Sequence, residues 1–136
     1  MGNGTAVAYN LVMRFGSSSA GDKVRRPAVA GAFYPGDSEA LSRELADMLE
    51  QTVEAAPAPA FPKVVIVPHA GYIYSGPVAA SAYDRLRPAR GIATRVVLLG
   101  PAHRVPVRGL ALPGATAFDT PIGRIPIDRE AAAAIR

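Results

Sequence analysis

The 136-residue chain has no cysteine and no tryptophan, and only two histidines. Without cysteine it holds no disulfide framework, thiolate nucleophile or thiolate metal site of its own. No apolar run is long enough to cross a bilayer, so no membrane association is expected. The opening Met1-Gly-Asn-Gly-Thr-Ala6 lacks the hydroxyl residue that a myristoylation signal carries at position 6. No basic residue precedes the mildly apolar stretch from Ala6 to Met13, which argues against a secretory leader and leaves the cytoplasm as the expected location. A P-loop, a strand-linked G-x-G-x-x-G and a G-x-S-x-G elbow are also missing. Carboxylates are absent between Arg85 and Arg108, where six arginines fall (85, 87, 90, 95, 104 and 108). Such a run reads first as solvated helix ends and loops, and second as a contact for an anion. No nucleic-acid motif accompanies it and no aromatic residues interleave with it, so nucleic acid is not an expected partner.

What is present suggests one domain with a real core, since apolar residues make up 49% of the chain and charged residues 19%. Residues 1–24, with the Gly16-Ser-Ser-Ser-Ala-Gly21 break, read as a disordered N-terminal extension, and the domain as 25–136. Phe33 and Tyr34, between Gly31 and Pro35, suggest an extended piece ending in a turn. Either its aromatics anchor that piece against the core, or Tyr34 or the glycine backbone faces a site. Asp37 or Ser38 should cap a helix whose apolar face is Leu41, Leu45, Met48, Leu49 and Thr52. The proline-rich stretch from Ala55 to Pro62 ends it as a stiff linker.

The informative stretch is 63–103. Lys63-Val-Val-Ile-Val67 and Arg95-Val-Val-Leu-Leu99 are short β-branched runs of the kind buried on both faces of a parallel sheet. Between them, Ser75 or Gly76 should cap a helix with Pro77 at its first position and Ala79, Ala82, Tyr83 and Leu86 on its inner stripe; Pro88 and Gly91 close it. Strand, helix, strand makes a βαβ unit, which brings His69 and His103 to the same carboxyl edge of the sheet. Beyond it, Gly109–Leu112 reads as a short strand, Phe118–Ile127 as a loop and an edge strand, and Asp128 as the cap of a last helix. Two convincing buried strands are few for a doubly wound sheet, and the chain reads as the N-terminal half of something larger.

Two neutral imidazoles on adjacent loops are a start for a metal site, and a complete one takes a third ligand. Asp119, Asp84 and Tyr72 are the candidates within this chain; a donor from a further C-terminal half is the simpler expectation. Gly71, Gly76 and Gly100 permit close backbone approach. Tyr72 and Tyr74, beside His69, suit substrate positioning or proton donation.

The segments Arg26-x-x-Val-Ala-Gly-x-Phe-Tyr-Pro35, Pro68-His-Ala-Gly-Tyr-x-Tyr-Ser-Gly76, Leu99-Gly-Pro-x-His103 and Thr120-Pro-Ile-Gly-x-Ile-Pro-Ile-Asp128 resemble the Memo family. The resemblance implies a three-layer α/β/α fold with a mainly parallel sheet, like that of class III extradiol dioxygenases and here truncated. It implies iron or copper held by His69 and His103, a remaining ligand from the family's C-terminal half, and redox or dioxygenase-like chemistry in a complete form. Tyr72 is then the first expected substrate contact. The other reading is a non-enzymatic binding or scaffold module with a relict pocket, taking a small-molecule or peptide ligand. An incomplete sheet edge would favour self-association.

Overall fold

A computed structural model describes residues 8–14, 23–52, 61–104 and 106–134. The elements run β1 (Ala8–Arg14), β2 (Val24–Arg25), α1 (Ser38–Glu50), α2 (Tyr72–Asp84), β3 (Arg95–Pro101), β4 (Leu110–Ala111), β5 (Ala117–Thr120), β6 (Gly123–Pro126) and α3 (Arg129–Ala133). They fall into two compact units: a helical one built mainly from 27–93, and a sheet unit built from 94–119, 123–136 and the described part of 1–26.

In the helical unit, α1 begins as its sequence predicts. The Asp37 carboxylate accepts the Ala40 N–H at 2.8 Å, and Glu39 lies in the positive first turn. Leu41 is buried, and Leu45, Met48 and Leu49 are half-buried on the same face. Full burial of a side chain such as Leu41 contributes about 1.5–3 kcal/mol, and the half-buried ones contribute less. Thr52 donates to the Leu49 carbonyl, which also accepts from the Arg87 guanidinium at 3.0 Å, so two side chains close the end of the helix. Most of the proline-rich linker, residues 53–60, lies outside the described residues.

Helix α2 starts at Tyr72 with Gly71 as its cap, upstream of the expected Ser75 or Gly76 cap, so Pro77 sits inside the helix. The Tyr74 and Ser75 N–H groups bond the Gly71 carbonyl. The Tyr72 N–H, an end group without an intrahelical partner, donates to the Phe33 carbonyl at 2.8 Å. That acceptor lies far up the chain, and no local pattern reveals it. The buried stripe is Ser75, Gly76 and Ala80 instead of the expected Ala79, Ala82, Tyr83 and Leu86. At Gly76 the Met48 sulfur lies in the space a Cβ would take, so any larger residue there would make the Met48 side chain shift. The end of the helix follows expectation: Leu86 N–H bonds Tyr83, Ala89 N–H bonds Leu86, and Gly91 turns the chain at φ +76°.

The run 63–67 is not a strand, and this corrects the βαβ expectation. Among the described residues it has no partner ladder, and Val64 and Ile66 are 78% and 93% exposed. An apolar run supplies side chains for a sheet, but a strand exists only through its hydrogen-bonded neighbour.

The sheet unit is mixed, not mainly parallel. β3 forms as expected but pairs antiparallel with β1, from Ala8 opposite Pro101 to Arg14 opposite Arg95. β1 in turn pairs parallel with β4, giving the order β3-β1-β4. β1 falls within residues 1–24, the stretch read as a disordered extension; 1–7 and 15–22 lie outside the described residues. As an edge strand, β3 leaves Val96 to Leu99 between 40% and 60% exposed, whereas its sequence predicts burial on both faces.

A second sheet has the order β2-β5-β6. Its β2 and β5 are parallel, and the Arg25 guanidinium lies 5.2 Å from the Phe118 ring centroid. A turn with Gly123 at φ +145° leads into β6, the expected proline-bearing edge strand. Asp128 then does two things. One carboxylate oxygen accepts the Ala131 N–H at 3.0 Å and caps α3, and the other pairs with Arg95 at 2.9 Å. The start of β3 is thereby tied to the start of α3. Asp128→Ala, which removes the cap and the ion pair together, is expected to lower stability by about 1–2 kcal/mol. Asp128→Asn, which keeps the cap and removes only the ion pair with the exposed Arg95 guanidinium, should lose less than Asp128→Ala. Urea midpoints of the two variants check the difference.

Candidate functional site around His69

The Pro68–Gly71 turn is built from two sides. One side is a strap in which the Ala32 and Phe33 N–H groups both bond the Val29 carbonyl and Gly31 N–H bonds the Tyr34 carbonyl at 2.8 Å. Gly31 sits at φ +79°, the left-handed region that glycine tolerates. The strap presents the Phe33 carbonyl to Tyr72 and lies against buried Gly71, where a Cβ would come within 3.3 Å of that oxygen. On the other side, the buried Ser75 hydroxyl donates to the Ala70 carbonyl at 2.9 Å. Pro68, His69 and Ala70 are exposed on the turn so formed.

Tyr72 occupies the first position of α2. Its ring lies 5.6 Å from that of Tyr34, tilted by 40°, so Tyr34 joins the site residue named from sequence. Partial burial, then the neighbouring Tyr34 and Tyr83 phenols and the Glu44 carboxylate, push the Tyr72 phenol above its ordinary value. At neutral pH it keeps its proton and can donate a hydrogen bond. Tyr74, two residues on, is largely exposed.

His103 follows the carboxyl end of β3 by two residues and is exposed in the sheet unit, whereas His69 belongs to the helical unit. The expected route to one site, adjacent parallel strands ending side by side, is not formed among the described residues, where 63–67 has no partner strand. The carboxylate candidates are engaged elsewhere. Asp84 pairs with Arg87. Asp119 takes both arms of the Arg124 guanidinium, at 2.6 and 3.1 Å, and this bonding holds its carboxyl below the usual carboxylate range. Among the described residues, no group of three or more His, Asp or Glu side chains gathers at ligating distance. The arginine run also divides: 85, 87 and 90 belong to the helical unit, and 95, 104 and 108 to the sheet unit. Two of them, Arg87 and Arg95, are in internal ion pairs. What sequence reasoning misses is the turn's support, the Phe33 carbonyl and the Ser75 hydroxyl, because the Ser75-Gly76 pair reads as a helix cap.

The family model described as "Memo-like protein" matches residues 25–136. The chain belongs to the Memo family. A MEMO1 family protein of Methanothermobacter thermautotrophicus is 44% identical over 117 residues, which cover 82% of this chain and 42% of the relative. One from Aquifex aeolicus is 41% identical, covering 79% and 38%, and Protein MEMO1 of Danio rerio is 38% identical, covering 78% and 34%. The Memo-family chain thus spans about two fifths of the length of the curated relatives it matches. No solved structure matches it.

The raised Tyr72 value has a consequence for stability. The folded state holds this proton more tightly than the unfolded state, whose phenol titrates near 10.0. The contribution is complete below that pH and is lost as pH rises through the folded value. Wild type should therefore lose stability above pH 10 faster than Tyr72→Phe. Urea midpoints at pH 8 and at alkaline pH check this.

Proposed function

We propose that this Memo-family chain is a metal-binding protein in which His69 and His103 donate imidazoles to iron or copper. What carries the reading is that the family match runs across both histidine segments. The geometry around His69 supports it, since the imidazole is exposed on a turn whose backbone is held from the strap. Imidazole nitrogen suits either metal. Two imidazoles make an incomplete set, and Asp84 and Asp119 are already taken up by arginines. The remaining donors then belong to the part of the Memo length that this chain does not span.

Iron or copper, when bound, supplies redox or dioxygenase-like chemistry toward a small substrate. This chain's own contributions are the two imidazoles and Tyr72. Three positions past His69, with its proton held above the ordinary range, the Tyr72 phenol would donate to a substrate oxygen. A binding or scaffold module is the second reading, and the exposed apolar residues of β3 favour it. Arg87 and Arg95 of the arginine run are already held in ion pairs, which does not favour an anion as its ligand.

Metal content by mass spectrometry on wild type, His69→Ala and His103→Ala tests the proposal. Near-stoichiometric iron or copper that is lost in both variants is expected. Folded wild type without metal would overturn metal binding by the two imidazoles of this chain as it stands. Full retention in both variants would place the ion elsewhere.

A further inference from the structure

We infer that Ser75 is a positioning residue for His69: its buried hydroxyl locks the Pro68–Gly71 turn and holds the imidazole in one presentation. The inference rests on the metal-binding reading for its purpose, but not for its geometry. A serine within a helix ordinarily bonds back to the carbonyl four residues earlier. Here that contact, to Gly71, is 3.4 Å, while the bond to Ala70, five residues back and outside the helix, is 2.9 Å. A hydroxyl has one proton to donate, and the shorter bond takes it. Ser75 is 6% exposed, so water does not compete for the Ala70 carbonyl from the serine's side.

The position of that bond matters. The carbonyl it holds is on the residue after His69. The residue before is Pro68, whose ring fixes its own φ. Two residues beyond His69, the peptide of Gly71 and Tyr72 is held by the strap, through the Tyr72 N–H on the Phe33 carbonyl. His69 therefore sits between a rigid residue and two backbone anchors, and Ser75 supplies the nearer of them. Groups that hydrogen-bond a metal-ligating side chain directly change metal affinity by about 10–100-fold when removed, and a group acting one step further away, through the backbone, belongs at the low end of that range.

The test compares Ser75→Ala with Ser81→Ala. Ser81 bonds Val78 at 2.8 Å on the exposed face of the same helix and has no reach to the turn, so it controls for losing a helical hydroxyl. In the metal-free chain with isotope-labelled histidine, Ser75→Ala should shift or broaden the His69 ring signals and leave those of His103 in place. Ser81→Ala should change neither, and Ser75→Thr should restore the wild-type His69 signals. Copper(II) added to the same proteins should bind about tenfold more weakly to Ser75→Ala only. Unchanged His69 signals in Ser75→Ala, or equal changes at His103, would overturn the proposal. If His69→Ala binds copper(II) as wild type does, the metal reading fails, and the metal-free spectra still decide the role of Ser75. Should Ser75→Ala not fold, Ser75→Cys, with similar size and a weaker donor, gives the same comparison.

Discussion

The helical unit depends on one backbone hydrogen bond, from the Tyr72 N–H to the Phe33 carbonyl. A helix start exposes donors that its own backbone cannot satisfy. Here the strap satisfies one of them, and that contact sets where α2 begins. It also brings Tyr34 against Tyr72 and sets the strap so close to Gly71 that an added Cβ would be crowded by the Phe33 carbonyl. The turn that carries His69 is the short connection left between that anchor and Pro68. The packing of α1 on α2, through Met48 and Gly76, supports the same arrangement from behind. The chemistry proposed for His69 and Tyr72 is thus a property of how a helix end is closed.

The sheet unit obeys a different constraint. Strand β3 has the apolar sequence of a central strand and the position of an edge strand. Its backbone is paired on one side by β1, and its start is fixed by Arg95 on Asp128. Its side chains remain largely open. The curated relatives are more than twice as long as this chain. In the metal reading that further length supplies the missing donors. In the scaffold reading the open face of β3 is itself the functional surface.

Local chemistry was legible in the sequence and non-local pairing was not. Asp37 and Asp128 cap their helices because a carboxylate reaches its own first turn, and the spacing shows it. The turn at Gly91, the short β4 and the edge character of β6 are similarly local. The strand character of 63–67 failed because a ladder needs a neighbour, and no composition names one. The mainly parallel sheet failed for the same reason, since β1 supplies an antiparallel partner that the βαβ pattern does not foresee. The α2 start was misplaced because Pro77 and Ser75 mimic a capping signature, while the deciding acceptor, Phe33, lies in another segment. The family motifs identified the chain correctly because they are carried by residue identity and do not depend on which strands pair. Of the candidate site, His69, Tyr72 and Tyr34 were visible as residues. Their mutual support was not, because it runs through backbone carbonyls.

The most direct measurement is native-state hydrogen exchange at the Tyr72 amide. In an ordinary helix the first amide has no partner and exchanges quickly. If the strap closes α2 as described, this amide is protected to the same degree as those in the middle of α2. Exchange as fast as in an exposed loop would contradict the account, because nothing would then hold the strap to the helix start or fix the turn that displays His69.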